Sequence, residues 1–303
     1  MILKEFGFKP LPIEFTKKGH RYKLNDFLLT GSSSITGMKK QDWAAPWAAK
    51  ETARFLGYFD KKIDNKKISP EHLKILQDAS KLRYEELKTL TYSQFFIQLE
   101  KAKNARYAKS KPALLTGTLV HELIQKSIEG RVRYKIENII HKNEQVQYEV
   151  RNCYQAWLNW EKQHEVEYYA TELVIGNQEL FLSGTIDVVA KVDTVMQVLD
   201  LKTSKQVSSD VYLQTALYLY ILKKMLTDVG LKEPYSRSVL RLDKGMDTNN
   251  MRKENFKPTH EYVLVQSDYG RDVACAMGLY ETYKWKRYQD KMNFLNKKRY
   301  FVK

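Results

Sequence analysis

Residues 180–202 read LFLSGTIDVVAKVDTVMQVLDLK, two runs of largely apolar side chains, 180–192 and 195–202, separated by Asp193-Thr194. Such runs, rich in β-branched residues and joined by a two-residue break, predict two antiparallel strands and a tight turn. Residues 168–175 predict a further strand before them, completing a three-stranded meander. Positions two apart on a strand share a face, so Asp200 and Lys202 project to the same side, with the Leu201 carbonyl on the backbone between them. Asp187 lies on the preceding strand, antiparallel across the turn, where its carboxylate can converge with that of Asp200. Two carboxylates, a carbonyl and water make a hard oxygen site of the kind that takes Mg²⁺ or Mn²⁺. A lysine beside it can hold a water or neutralise charge building on a phosphate.

Working outward, residues 116–129 read as a helix with Val120, Leu123, Ile124, Ser127 and Ile128 along one side and Gly130 as its stop. His121 on this helix could add a nitrogen to the metal site. Downstream, Ser208 or Ser209 can cap a helix running to Gly230, on which Gln214 and Tyr218 are four apart and share a face able to reach a phosphate or base. A long polar helix is expected over 144–164, strands at 238–242 and 261–266, and a closing helix from about Asp268. This order predicts an α/β fold, a sheet flanked by helices. Gly-Thr precedes both His121 and Asp187, small residues that permit close approach to a bound metal or DNA.

In the N-terminal third, residues 20–29 read as a hairpin and 31–37 as a loop. A helix is expected from Asp42 to near Gly57, and another from Ser69-Pro70-Glu71 to about Leu90. Residues 1–112 are therefore expected to form a mostly helical elaboration, and residues 113–303 the core.

Of 303 residues, 51 are Lys or Arg and 36 are Asp or Glu, so 51 − 36 gives a net charge of +15. That balance points to a polyanionic partner, nucleic acid first. Five basic residues and no acid fall in 101–111, and the tail interleaves Lys284, Lys286, Arg287, Lys291, Lys297, Lys298 and Arg299 with Trp285, Tyr288, Phe294 and Tyr300. Basic residues so mixed with aromatics favour tracking of a phosphate backbone. Two cysteines, Cys153 and Cys275, cannot supply a disulfide framework or the four thiolates of an iron–sulfur cluster. No secretory signal and no apolar stretch long enough to span a bilayer is read, so a cytoplasmic protein without membrane contact is expected.

The motifs Gly117-Thr-Leu-Val-His121, Gly184-Thr-Ile-Asp187, Asp200-Leu-Lys202-Thr203 and Gln214-Thr-Ala-Leu-Tyr218 occur in that order. Together they resemble the RecB-type nucleases of the PD-(D/E)xK superfamily over roughly residues 116–220, and the N-terminal pattern looks like that of phage-encoded standalone members. The resemblance implies a restriction-endonuclease-like core with a central mixed sheet. It makes His121 a metal ligand, Asp187 and Asp200 the metal-binding carboxylates and Lys202 the catalytic lysine. Gln214 and Tyr218 become a substrate-contacting pair, and Glu172 an accessory acid on the first strand of the meander. Mg²⁺ or Mn²⁺ would be the cofactor, and single- or double-stranded DNA the partner. No Gly-x-x-x-x-Gly-Lys-Ser/Thr phosphate loop is present, so no fused helicase motor is expected. The expected activity is exonucleolytic, on DNA ends in phage or bacterial recombination, replication or repair. A structure-specific endonuclease, or a DNA-binding protein that no longer cuts, are the rival readings.

Overall fold

The computed structural model describes residues 11–16, 21–38, 44–58, 70–227, 236–246 and 252–300, without the side chains of 44–45, 72, 109, 227 and 293–300. The expected helix starts at Asp42 and Ser69, the stop at Gly230 and the tail side chains from Phe294 onward lie outside the described residues. The chain divides into two compact units, Met1–Lys39 with Thr116–Lys303, and Lys40–Leu115.

The smaller unit is helical: α2 (Ala44–Phe55), α3 (Pro70–Lys88), α4 (Tyr92–Lys103) and the start of α5 (Ala105–Glu129). Gly57, at φ 93, ends the turn after α2 in a conformation that side chains disfavour. Thr91 and Gln94 cap α4 reciprocally. The helix expected from Thr116 starts earlier, and α5 continues through Pro112.

In the larger unit, β1 (Ile13–Thr16), β2 (Arg21–Leu24) and β3 (Phe27–Gly31) pair antiparallel in sequence. Residues 31–37, expected as a loop, contain the short helix α1 (Ser32–Thr36). Its anchors are tertiary: Ile35 is fully buried, and Ser32 Oγ donates to the Ser183 carbonyl at 2.8 Å. Such contacts hold a turn that a serine-rich stretch does not form by propensity.

The meander follows as β4 (Val166–Asn177), β5 (Leu182–Val192) and β6 (Val195–Lys202), preceded by α6 (Glu144–Glu161). After it come α7 (Ser209–Thr227), β7 (Ser236–Leu242), β8 (His260–Leu264) and α8 (Tyr269–Tyr300). The eight strands among the described residues form one sheet in the order β1-β2-β3-β5-β6-β7-β8, with β4 also on β5. Pairing is parallel for β3/β5 and β6/β7 and antiparallel elsewhere, so the sheet is mixed. The β3/β5 pairing ties the N-terminal hairpin to the meander, a long-range contact without a local sequence signature.

Strand alternation feeds two cores. Val189 and Val198 pack with Leu217, Ile221 and Leu222 of α7 and Ala276 and Tyr280 of α8. Val188, Ala190, Leu199 and Leu201 pack with Val120 and Ile124 of α5 and with α6. Although α6 is expected to be polar, its Val146, Val150, Cys153, Tyr154, Ala156, Trp157 and Trp160 are buried along one stripe together with Glu149, and its other polar residues cover the rest.

One feature of the sheet positions the site. Apart from Asp187, β5 pairs with β4 along one edge from Leu182 to Val192. The other edge is divided: β3 takes Leu182 and Ser183, and β6 takes Val188–Val192. Gly184–Asp187 fall in the fork between them. Beyond Leu199, β6 leaves β5, and Asp200, Leu201 and Lys202 pair with β7 alone.

Candidate metal centre

Asp187 stands where the strands fork. Its Oδ2 accepts a hydrogen bond from the Leu201 N–H at 2.7 Å, so the carboxylate replaces the lost ladder partner. Its Oδ1 lies 3.5 Å from His121 Nδ1, which is also 3.8 Å from Glu172 Oε1. Val120 and Ile124 bury the neighbouring face of α5 in the core and so fix the turn that carries His121. Glu172 faces Asp187 across the β4/β5 pair, between the partners Thr171↔Val188 and Leu173↔Ile186. It adopts φ 44, a left-handed conformation within a strand. Such strain costs about 1–3 kcal/mol and persists where surrounding structure enforces it, typically at functional sites.

One ligand atom each from His121, Glu172 and Asp187 lie within 4.8 Å of one another. An imidazole nitrogen and carboxylate oxygens fit a hard divalent ion of the Mg²⁺ or Mn²⁺ class. Asp200 is held differently: it is 1% exposed, and its Oδ2 lies 2.6 Å from Lys202 Nζ. That contact is a close ion pair, and among the described residues no other donor reaches this buried carboxylate oxygen. Asp200 and Lys202 do share a face, whereas the contact seen between Leu201 and the other site residues runs through its N–H.

Charge coupling runs through the whole set. Burial acts to lower the His121 pKa, but the Asp187 carboxylate and then Glu172 outweigh it and lift the imidazole to about 10. Burial acts to raise Asp187, yet His121, Lys202 and the Leu201 N–H together hold it below the usual carboxylate range. Burial dominates at Asp200, which is pushed up to about 6 despite Lys202. Burial would lower Lys202, but Asp200 and Asp187 keep it above the ordinary lysine range.

A cavity of about 610 Å³ opens over this cluster, lined by His121, Glu172 and Asp187 together with Gln214 and Tyr218. Gln214 Nε2 donates to Tyr218 Oη at 2.6 Å, so these two form one unit on α7. Phe15, Tyr22, Ser33, Thr118, Gln125 and Thr185 also line the cavity, and sequence reasoning overlooked them. Thr185 was within reach, since it lies two residues before Asp187 on one strand face. Phe15 and Tyr22 arrive through the β3/β5 pairing and carry no local signal.

The two Gly-Thr pairs differ in what they do. A Cβ on Gly117 would meet Thr203 Oγ1 at 3.5 Å, an ordinary contact, so packing within the protein does not require glycine there. A Cβ on Gly184 would stand 2.5 Å from Tyr218 Cε1 and 2.9 Å from its Cδ1. Glycine at 184 therefore seats the Tyr218 ring. Tyr218 is 5% exposed and cannot swing away. Gly184→Ala should lower unfolding stability by about 1–3 kcal/mol, the usual scale of overpacking. Unchanged midpoints in urea titration would show that α7 yields freely.

A mixed sheet flanked by helices, with a histidine, carboxylates and a lysine converging at a strand fork, is the framework of a metal-dependent nuclease. The family model of the PD-(D/E)XK nuclease superfamily matches residues 84–291, and the chain belongs to that superfamily. No curated protein matches it. None of the described helices is long and apolar enough to cross a membrane.

Proposed function

We propose that the protein is a DNA exonuclease that hydrolyses phosphodiesters at strand ends in phage or bacterial recombination, replication or repair. The observation that carries this reading is the convergence of His121, Glu172 and Asp187 in the lining of one cavity, with the Asp200–Lys202 pair on the neighbouring strand. His121, Glu172, Asp187 and Asp200 would hold Mg²⁺ or Mn²⁺, with the Leu201 carbonyl as a further oxygen. When bound, such an ion polarises the phosphate and acidifies water. Lys202 places a positive charge beside the reacting phosphate, where it steadies the attacking water and the charge that develops as the 3′ oxygen departs. Gln214 and Tyr218 orient the strand. A cavity of about 610 Å³ is of a size to enclose a single nucleotide, which favours a strand end over an intact duplex. Exposed Trp285 and Tyr288, among Lys284, Lys286, Arg287 and Lys291 on α8, support a phosphate-tracking surface.

End-labelled linear DNA and closed circular DNA, each incubated with Mg²⁺, Mn²⁺ or EDTA, test this directly. Linear DNA should be degraded progressively from its ends, circular DNA should resist, and EDTA should stop the reaction. Cleavage of the circle at a comparable rate would make the enzyme an endonuclease, and no cleavage of either with both ions would leave a DNA-binding protein.

A further inference from the structure

The cavity has walls of two kinds. One is ionic, made by His121, Glu122, Glu172 and Asp187. Another is aromatic and apolar, made by Phe15, Tyr22 and Val174. Phe15 and Tyr22 are register partners across β1 and β2, and their rings stack with centroids 4.8 Å apart at 23°. Tyr22 is 4% exposed, and its Oη shares a hydrogen bond of 3.1 Å with Thr185 Oγ1, two residues before Asp187. The stack is thereby fixed to the strand that carries the metal-binding carboxylate.

The hairpin is seated with equal care. A Cβ on Gly176 would stand 2.4 Å from Ile13 Cδ1, so the missing side chain gives Ile13 its place on β4. Phe15 and Val174 follow two residues along their strands on the same faces and pack in one cluster with Tyr22. An aromatic pair is therefore delivered to the cavity by a β1 strand only four residues long.

We propose that Phe15, backed by Tyr22, is the subsite for a nucleobase of the DNA strand beside the scissile phosphate. This rests on the nuclease reading of the metal centre. With the phosphate held at that centre, the neighbouring base must lie within a cavity that is about 10 Å across if round. The acidic wall repels further phosphates, whereas an aromatic face suits a neutral base of any identity, as stacking platforms for single strands do.

The test uses the full chain, Mg²⁺ and single-stranded oligonucleotides with hydrolysis-resistant phosphorothioate linkages. Each carries the fluorescent base 2-aminopurine at one of the last three positions of either end. Binding should quench one position strongly through stacking, Phe15→Trp should keep the quenching, and Phe15→Leu should relieve it. Replacing that base by an abasic residue should weaken wild-type binding roughly 5- to 150-fold and the Phe15→Leu protein far less. An abasic penalty equal in both proteins, or quenching that ignores Phe15, would reduce the ring to hairpin packing and overturn the proposal. Phe15→Met gives the same comparison if the leucine variant does not fold. Phe15-dependent quenching without any cleavage of unmodified DNA would keep the subsite and remove the nuclease reading, whereas cleavage without such quenching would do the reverse.

Discussion

Asp187→Asn should reduce single-turnover DNA cleavage roughly 10³-fold or more, because a bound metal supplies several kcal/mol of transition-state stabilisation and this carboxylate is proposed to hold it. The structure makes the substitution a clean one. An amide oxygen can still accept the Leu201 N–H that now bonds Oδ2 at 2.7 Å, so the strand fork should keep its geometry. What disappears is the charge, and with it the strongest influence raising the His121 pKa. Isothermal titration should show weakened Mn²⁺ binding, while DNA affinity without metal stays level or rises as a repulsive charge is lost. Asp187→Ala should behave differently: it strands the Leu201 N–H and should also destabilise the fold by about 1–3 kcal/mol. Near-normal turnover in the asparagine variant would remove Asp187 from the metal site.

Lys202→Met should slow cleavage roughly 10²-fold, the usual scale for deleting one preorganised electrostatic contributor. Its second effect is on Asp200, which is buried and has Lys202 Nζ 2.6 Å away. Burial already pushes Asp200 up to about 6, and without the ammonium its carboxyl should protonate near neutral pH. Removing one partner of a buried pair is destabilising, so the melting temperature should fall with the rate. Adding Asp200→Asn to Lys202→Met should recover part of the stability and none of the activity. Lys202→Arg restores charge but brings a wider planar head into a confined place, so rescue should be partial at best. Wild-type single-turnover rates in Lys202→Met would show that the lysine serves only the fold.

The meander was legible because alternation, the Asp193-Thr194 break and the spacing of Asp187, Asp200 and Lys202 are all local, and local spacing fixes which side chains share a face. His121 and the Gln214/Tyr218 pair were legible for the same reason on helices. The division of labour among the acids was not. Through one left-handed residue in β4, Glu172 joins His121 and Asp187 in a group that could hold a metal, while Asp200 is also held in an ion pair with Lys202. Both depend on strand register and backbone twist. The helix at 32–36, the buried stripe of α6 and the aromatic wall at Phe15 and Tyr22 likewise follow from partners distant in sequence, here Ser183, Tyr154's bond to Ser127, and Thr185.

The strand fork also limits how Asp187 can behave as a ligand. With Oδ2 committed to the Leu201 amide and Oδ1 turned toward His121, the group has one oxygen to offer and little freedom to rotate. Carboxylates that swing between one-point and two-point coordination let a site adapt to ions of different radius; a tethered one behaves as a fixed strut. Small ions that accept single-oxygen ligands in a rigid octahedron suit such a strut, and larger ions that draw on two-point carboxylates and a loose shell do not. Discrimination among cations would then reside in one backbone amide of β6, where the choice of ion is written into the pairing of the sheet itself.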